Sequence, residues 1–510
     1  MGTLIQSIIS SGSRGTIVDI ECHLSNNLPN IIIVGFANKA VDESRERIRG
    51  SFATSHIMLP RKRITINLAP ADIPKADSGF DLAIAVAILS ASDQITRTIG
   101  LNHAFIGELG LDGNTRAVRG LIGKVLLGRA KGVITFFIPR ANFLQAQLIP
   151  KVTLMPIDNL SQLYGYLCLG LEIETYKTGS GRYKPDRVHR PRIPAKLSEV
   201  VGQDHAKRAL EIAAAGGHNV FFSGPPGTGK SMLAKALPSI LPPLNREEIL
   251  EVTHLHSLAG HDYEQIVTER PFRTPHHSAS HVAVVGGGNK LRPGEISLAH
   301  RGVLFFDELP EFGRPTLEAL RQPLEDRIIN VARAKDIAEY PANFILVATA
   351  NPCPCGYAGS NKKCRCPASQ IKRYRNRLSG PILDRIDLYC DVHDIDHDDL
   401  LLRQISRQSD NQVRQRIAKA RQIQKRRFNS PNKLNADMSN DDIKKLAHIR
   451  ISAVRILNQS SRQFQLSARA YFRVIKVART IADLNKSDYI TDAHINEAIY
   501  FRHRQAEGNK

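Results

Sequence analysis

Residues 219–237 read NVFFSGPPGTGKSMLAKAL, and this stretch decides the fold of the central part of the chain. An apolar strand pattern leads into the motif G-x-x-x-x-G-K-[ST], which runs from Gly224 to Ser231, and a helical pattern follows. The glycines permit a loop whose backbone amides point at phosphate oxygens, and the next helix adds its positive N-terminus. The stretch therefore predicts an α/β domain that binds a nucleotide.

The side chains of this loop have separate predicted roles. Lys230 is expected to neutralise the β- and γ-phosphates, and Ser231 is expected to bind Mg²⁺. The other loop residues are predicted to surround the phosphates: Gly224, Pro225, Pro226, Gly227, Thr228 and Gly229.

A second apolar run, from Gly302 to Phe306, ends in the acidic pair Asp307 and Glu308. Such a strand places its acids at the carboxyl edge of a parallel sheet, where ligands bind. We expect Asp307 to hold Mg²⁺ through water and Glu308 to act as the general base. The alternative is a solvated strand end.

Two further residues follow in the order that an ATPase site requires. Asn351 comes after the apolar run 344–348 and is placed to orient water or contact the γ-phosphate. Arg385, in LSGPILDRIDL, follows a proline-containing turn and suits an arginine finger that reaches a neighbouring subunit's ATP. Either residue taken alone also fits a structural role.

The motifs GPPGTGKS, VLFFDELPEF, ATANPCPCG and LSGPILDRID, with LSARAYFRVIKVARTIADL near the end, resemble the Mg-chelatase-like AAA+ ATPases over nearly the whole chain. The resemblance implies a homo-hexameric ring with ATP sites between subunits and Arg385 acting in trans. It also implies that Arg469, in preference to Arg473, is the sensor-2 arginine of a helical lid. It further implies a DNA helicase that promotes branch migration during natural transformation and recombination, with recombination proteins as candidate partners.

The pattern of elements predicts an α/β protein with three domains and a linker. Residues 1–175 are expected to form a compact domain of strands and helices, which the resemblance implies is a Lon-protease-like, S5-like α+β domain, and residues 176–196 a basic linker. Residues 197–395 form the AAA+ P-loop α/β core, and residues 396–510 form the C-terminal helical lid.

The composition of the chain indicates what kind of partner it binds and in which cellular compartment it works. The chain has 510 residues and a formal charge of +21, which favours a polyanion such as DNA; solubility alone is the alternative explanation. No apolar run reaches the roughly 20 residues of a membrane span, and no signal-peptide pattern opens the chain. We expect a cytoplasmic protein.

Segments around the core carry cations suited to a phosphate backbone. FRTPHHSASHVAVVGGGNKLRPGEISLAHRG and residues 327–335 resemble the helix-2 insert and the pre-sensor-1 hairpin of MCM-type helicases. The DNA-binding candidates are Lys290, Arg292, Arg333 and Lys335. Each could instead be a solvated surface charge. YRNR, at 374–377, interleaves an aromatic residue with cations and adds a candidate for phosphate contact and base stacking.

Four of the seven cysteines lie within fourteen positions: Cys353, Cys355, Cys364 and Cys366. Two C-x-C pairs across a short loop predict a structural Zn²⁺ site. Unliganded thiols and iron–sulfur or redox chemistry are the alternatives, while disulfides conflict with a reducing compartment.

Two other functions stay open. A Mg-chelatase-like subunit would use ATP to remodel a protein partner. The segment ADIPKADSGFDLAIAVAIL also resembles the part of Lon-type proteases that carries the nucleophilic serine. Here the nucleophile's place falls on Gly79, next to Ser78, and the partner lysine's place falls on Ile122, near Lys124. Both departures favour a non-peptidase scaffold.

Overall fold

The computed structural model describes residues 4–11, 14–35, 43–71, 79–179, 195–260, 265–288, 291–333, 336–359, 362–378, 380–394 and 409–502. The chain divides into two compact units. The first comprises Met1–Val188, Asn245–Thr268 and Ala334–Glu339; the second comprises His189–Leu244, Glu269–Arg333 and Tyr340–Lys510. Residues 245–268 belong with the first unit although they fall within the range predicted for the central core.

Two four-stranded sheets form the framework of the first unit. The strand order of the first sheet is Ile5–Ser11, Arg14–Ser25, Arg63–Ala69, Asn30–Val34. The strand order of the second sheet is Tyr176–Lys177, Thr153–Ile157, Thr135–Pro139, His103–Phe105. A small two-stranded sheet pairs Glu108–Leu109 with Thr115–Arg116. Apolar and polar residues alternate along strand Arg63–Ala69 of the first sheet, where Ile64, Ile66 and Leu68 are buried. One face of that sheet therefore covers a core.

Helices complete this unit: Ser44–Thr54, Asp81–Ala91, Leu121–Ala130, Phe143–Ala146, Leu160–Cys168 and Arg246–Ala259. Every residue from Asp81 to Leu89 is buried. Arg47 Nε donates to the Asp81 carboxylate at 2.7 Å, and Leu109 N donates to it at 3.1 Å, so the buried charge is paired. The mixed sheets and separate helices confirm the predicted α+β class.

The predicted linker begins inside the second of these sheets. Tyr176–Lys177 pairs antiparallel with the strand at Leu154 and Thr153, and Thr178 N donates to Val152 O at 2.9 Å. Edge pairing uses only backbone groups, so a polar composition does not prevent it. The first domain therefore extends at least to Thr178, and most of the predicted linker, 180–194, lies outside the described residues.

A five-stranded parallel sheet forms the centre of the second unit. Its strand order is Phe272–Arg273, Val303–Phe306, Ile345–Ala350, Val220–Ser223, Leu388–Asp391. The strand before the phosphate loop, Val220–Ser223, lies between Ile345–Ala350 and Leu388–Asp391, the last two strands of this sheet along the chain. This order creates a topological switch point. Ligands bind at the carboxyl edge beside such a point. The predicted α/β core is confirmed.

The helices of the second unit fall into two sets. Around the sheet lie Asp204–Gly216, Lys230–Ile240, His281–Val285, Glu295–Leu298, Arg314–Ala319, Arg321–Asp326, Ala368–Arg375 and Gly380–Leu383. The predicted C-terminal helical region consists of Asp410–Phe428, Asn440–Leu446, Ile451–Gln463, Ala468–Leu484 and Asp492–Tyr500. Within the described ranges, no helix combines the length and the apolar character that crossing a membrane requires.

Short two-stranded sheets occupy the predicted insertions. Gly286–Gly287 pairs with Arg292–Pro293, and Ile328–Arg333 forms a sheet with Asp336–Pro341. Gly286 has φ of +108°, and a Cβ there would lie 2.7 Å from Arg292 O, so a side chain would separate the pair.

Candidate functional site

The phosphate loop requires its glycines for steric reasons. A Cβ on Gly224 would lie 2.1 Å from Val392 O, while Gly227 and Gly229 have φ of +89° and +88°. Such angles strain residues that carry a side chain. The loop joins strand Val220–Ser223 to helix Lys230–Ile240, so that the helix N-terminus faces the loop.

Lys230 is buried against the loop that it serves. Its Nζ donates to Gly224 O at 2.6 Å, to Pro225 O at 2.7 Å and to Asn351 Oδ1 at 3.1 Å. Burial lowers the pKa of Lys230, and the nearby carboxylates of Asp307 and Glu308 oppose that shift. A phosphate group would compete with the two carbonyls for this ammonium group.

Asp307 joins the phosphate-loop helix to the acidic strand. Its Oδ2 accepts from Ser231 Oγ at 3.0 Å, and its Oδ1 accepts from Thr349 Oγ1 at 2.6 Å. Hydroxyl and carboxylate oxygens are the ligands that Mg²⁺ prefers, so Ser231 and Asp307 fit a magnesium site.

Thr349 is a functional candidate that sequence reasoning missed. The register of the two central strands pairs Phe306 with Ala348, which places Thr349 beside Asp307. The run ATAN shows a hydroxyl near Asn351, but only the strand register places that hydroxyl against Asp307.

Glu308 has a backbone conformation that is rare for its residue type. Its φ and ψ are both 54°, and its amide donates to Thr349 Oγ1 at 2.9 Å. Left-handed backbone costs an ordinary residue roughly 1–2 kcal/mol, so the surrounding contacts must hold it. The exposed carboxylate accepts from Asn351 Nδ2 at 3.1 Å, which brings the predicted base and the predicted sensor together.

The arginine-finger candidate has a partner within its own chain. Arg385 forms an ion pair with Glu325 and donates to Pro381 O at 2.7 Å, leaving its side chain only 10% exposed. Arg469 Nη2 lies 3.7 Å from the other Glu325 oxygen, and its side chain is 61% exposed. The bond from Arg385 lowers the pKa of Glu325. Both arginines therefore face one carboxylate.

Arg473 lies one turn after Arg469 and has a different environment. Its Nη1 donates to Asp387 Oδ1 at 2.5 Å and to Arg385 O at 3.1 Å. Burial alone would raise the pKa of Asp387, but the charge of Arg473 holds it well below the ordinary range. Arg473 therefore binds the backbone at Arg385 and the side chain of Asp387, and it holds the segment that carries Arg385.

The structure describes the DNA-binding candidates only in part. Arg292 is exposed on its short strand. Arg333 is the last residue of strand Ile328–Arg333, and the structure describes only its backbone. Lys290 and Lys335 lie outside the described residues. Between the two insertions, the buried Tyr340 hydroxyl donates to Leu291 O.

The aromatic residue of YRNR is placed differently from the prediction. Tyr374 is 5% exposed, and burial raises its pKa to about 12. A base cannot stack on a ring that is already packed in the protein, so the idea of stacking at Tyr374 was wrong. The cations beside it stay exposed.

The four clustered cysteines come together as predicted from their spacing. The Cys353 Sγ atom lies 3.4 Å from Cys355 Sγ and 3.7 Å from Cys364 Sγ, and the four sulfurs all lie within 4.8 Å of one another. Amides of Tyr357 and Arg365 lower the pKa of the Cys355 thiol to about 6. Cys364 and Cys366 also accept backbone hydrogen bonds, but burial and the sulfurs of Cys353 and Cys355 raise the pKa of both thiols. The geometry of the sulfurs is therefore the stronger support for a metal site. Four converging sulfurs, with Cys366 as the fourth, fit tetrahedral Zn²⁺.

The Lon-like positions carry no matching pair of catalytic groups. Gly79 O accepts from Gly107 N at 3.0 Å, and Ile122 is fully buried within an apolar core. Lys124 is 1% exposed on the same helix as Ile122, and Ser78 lies outside the described residues.

Comparison with known proteins covers almost the whole chain. The family description "Subunit ChlI of Mg-chelatase" matches residues 20–142, "Magnesium chelatase, subunit ChlI" matches residues 196–400, and "Magnesium chelatase, subunit ChlI C-terminal" matches residues 407–502.

Individual relatives agree with these matches. The chain is 40% identical to competence protein ComM of Haemophilus influenzae over 98% of this chain and 97% of that protein. It is also 40% identical to protein YifB of Salmonella typhimurium, over 98% and 96% of the two chains. A magnesium-chelatase 67 kDa subunit of Heliobacterium mobile is 27% identical over 32% of this chain and 29% of its own length. The chain therefore belongs to the Mg-chelatase-like AAA+ ATPase family, in the group that includes ComM and YifB.

Proposed function

We propose that this protein is an ATP-driven DNA helicase that works as a homo-hexameric ring and promotes branch migration when incoming DNA is integrated. The observation that carries the ATPase part of the proposal is the hydrogen-bonded chain from Lys230 through Asn351 to Glu308, which brings the proposed phosphate ligand, sensor and base into one site. The competence protein that is 40% identical supplies the biological context. A cytoplasmic location fits this role.

The site residues divide the work of hydrolysis. Ser231 and Asp307 would hold Mg²⁺, which neutralises charge on the β- and γ-phosphates when it is bound. Lys230 binds the same phosphates, and the loop from Gly224 to Gly229 surrounds them through its amides. Glu308 accepts a proton from the attacking water, which Asn351 orients.

Two arginines would complete the site from elsewhere. Arg385 is proposed to leave Glu325 and stabilise the transition state in the neighbouring subunit, and Arg469 is proposed to contact the γ-phosphate from the helical lid. Because Glu325 contacts both arginines, its release from Arg385 would accompany assembly of the ring.

Binding to DNA is proposed to depend on the phosphate backbone. The formal charge of +21 and the insertion cations Lys290, Arg292, Arg333 and Lys335 support this part of the proposal. No base-reading module is among the matched families, so we expect binding that tolerates any sequence and weakens steeply with salt.

We further propose that Cys353, Cys355, Cys364 and Cys366 hold one structural Zn²⁺. Four thiolates leave no open coordination position, so the ion would stabilise the loop and take no part in hydrolysis. The mutual approach of the sulfurs supports this assignment over an iron–sulfur cluster, which the cysteine spacing favours less.

A second candidate function is remodelling of a protein partner, as in a magnesium chelatase. The family descriptions that match this chain favour it. A Lon-like ATP-dependent protease is a third candidate, disfavoured by Ile122 at the place of the partner lysine.

One experiment separates these functions. The ATPase rate is measured in low salt without nucleic acid, with single-stranded DNA and with forked DNA. The proposal predicts DNA binding and a several-fold higher rate with DNA, both lost in high salt. A protein that binds no DNA, or hydrolyses ATP equally with and without it, would shift the conclusion to partner remodelling.

A further inference from the structure

The segment around the last two clustered cysteines, Cys364 and Cys366, and the helix after them concentrate positive charge. Its exposed cations are Lys362, Lys363, Arg365, Lys372, Arg373 and Arg375. No acidic residue occurs anywhere from 362 to 378. We call this set, from Lys362 to Arg375, the cysteine-loop cationic surface.

Most of these cations are not neutralised within the chain. Lys362 lies 5.4 Å from the centre of the Tyr357 ring, and the neighbouring Arg377 pairs with Glu311 at 2.8 Å. Over the part of the chain that the structure describes, no ion pair involves the others: Lys363, Arg365, Lys372, Arg373 and Arg375. Elsewhere in this unit, arginines such as Arg273 and Arg427 have carboxylate partners at 2.6 and 2.5 Å. The charge of this surface is therefore available to a partner.

The cations are attached to a firmly held piece of backbone. The four sulfurs converge on one side, Pro367 is the N-cap, and helix Ala368–Arg375 follows directly. Tyr374 is buried, so it anchors the helix while Arg373 and Arg375 on either side of it stay exposed. The three helical cations, Lys372, Arg373 and Arg375, lie within one turn, about 5 Å along the helix axis.

The same loop contacts the nucleotide site. Gly356 has φ of +85°, and a Cβ added there would lie 2.6 Å from Pro226 Cδ of the phosphate loop. Asn351, which bonds both Lys230 and Glu308, comes two residues before Cys353. A ligand that moves or stiffens the cysteine loop thus acts on atoms in contact with the ATP site.

We infer that the cysteine-loop cationic surface binds the phosphate backbone of nucleic acid and transmits that binding to the phosphate loop through the Gly356–Pro226 contact. The inference rests on the proposed DNA function and adds a binding site separate from the insertion cations. Over the described residues, the lack of ion-pair partners for Lys363, Arg365 and the three helical cations makes a polyanion the complementary partner.

A simpler explanation for part of the charge is local. Four thiolates and one Zn²⁺ carry a net charge of about −2, which Lys363 and Arg365 beside Cys364 would offset. That explanation does not extend to Lys372, Arg373 and Arg375, which belong to the following helix. Lys363 and Arg365 alone would offset the charge of the cluster, so the helical cations are not needed for it. The decisive test therefore uses the helical cations.

The test compares K372A/R373A/R375A with the matched triple variant K419A/K444A/K445A in the full-length protein. Both remove three exposed helical cations and introduce a good helix former. Binding to a fluorescent forked DNA is measured from 50 to 300 mM salt, together with zinc content and the ratio of ATPase rates with and without DNA.

The inference predicts that K372A/R373A/R375A keeps its zinc, binds DNA about tenfold or more weakly, and has a log–log salt slope smaller in magnitude by about two to three. Its stimulation of ATPase by DNA should fall in parallel, while the matched control stays close to wild type. Equal salt slopes in wild type and K372A/R373A/R375A, equal losses in both triple variants, or loss of zinc with unchanged DNA binding would each overturn it. Those results leave wild-type DNA binding intact, whereas failure of the wild type to bind DNA would overturn the proposed function itself.

Discussion

Ser231 Oγ donates a hydrogen bond to Asp307 Oδ2 at 3.0 Å, although the two residues lie 76 positions apart in the chain. Ligands at adjacent corners of a magnesium octahedron with bonds of 2.0–2.1 Å are about 3 Å apart. The separation therefore fits a site in which Ser231 and either Asp307 or a water held by Asp307 share one ion. The phosphate loop and the acidic strand are thus joined before nucleotide arrives.

Replacement of Glu308 by Gln should separate binding from hydrolysis. The amide keeps the shape of the side chain but cannot accept the proton of the attacking water, so kcat should fall about 10²- to 10⁴-fold. ATP affinity should change by less than about threefold, because Glu308 is not a proposed phosphate ligand. Steady-state ATPase and fluorescent-nucleotide titration measure both, with exposed Glu311→Gln as control. Normal turnover in Glu308→Gln would remove it from the role of base.

Lys230→Ala should weaken ATP binding. Charge-assisted hydrogen bonds contribute about 1.5–3 kcal/mol, so the affinity for ATP should fall roughly 10- to 100-fold and hydrolysis should be lost. Lys235→Ala removes an exposed lysine from the same helix and should leave both unchanged. Equal ATP affinity in Lys230→Ala and wild type, by calorimetric titration, would contradict the assignment of the loop.

Arg385→Ala tests whether the finger acts between subunits. Alone, it should lose about 10³-fold in ATPase while assembling normally, since the missing charge acts in the transition state. A mixture of Arg385→Ala and Lys230→Ala subunits should recover part of the activity, because some interfaces then combine an intact Lys230 with an intact Arg385.

The ion pair in the isolated chain supplies a control for this experiment. Glu325→Gln removes the charge that pairs with Arg385 but leaves the guanidinium in place, so hydrolysis should persist. If mixed subunits show only the sum of the two separate residual activities, Arg385 does not act in trans.

Zinc content tests the cysteine cluster directly. Purified protein should contain about one zinc per chain, and Cys364→Ser/Cys366→Ser should lose it, because two thiolates cannot complete a tetrahedral site. The control variant Cys22→Ser, which changes a cysteine outside the cluster, should retain zinc. Because Gly356 contacts Pro226, the double variant should also bind ATP several-fold more weakly. Metal-free wild-type protein with four freely titratable thiols would refute the zinc site.

Local motifs explain why much of the site was predictable. The loop from Gly224 to Ser231 owes its shape to steric requirements that adjacent residues meet, and the acidic pair Asp307 and Glu308 follows from one apolar strand. The cysteine spacing was similarly local, and the sulfurs converge as expected.

Relationships between distant residues were beyond the sequence. Thr349 bonds Asp307 only because the strand register places them side by side, and Glu325 meets Arg385 from 60 residues away. Tyr374 looked like a stacking platform because composition does not reveal which face of a short helix is packed. Arg246–Ala259 joins the first unit although its neighbours in sequence belong to the second.

The central claim is that hydrolysis at this site moves DNA branches, and a branch-migration assay on a three- or four-strand junction tests it most directly. Wild-type protein, Lys230→Ala and Glu308→Gln are compared with ATP and Mg²⁺ in low salt. The account predicts that wild type converts the junction to exchanged products, that Lys230→Ala does not, and that Glu308→Gln binds the junction without moving it. Active ATPase with no junction migration by the wild type, or migration by Lys230→Ala equal to wild type, would contradict it.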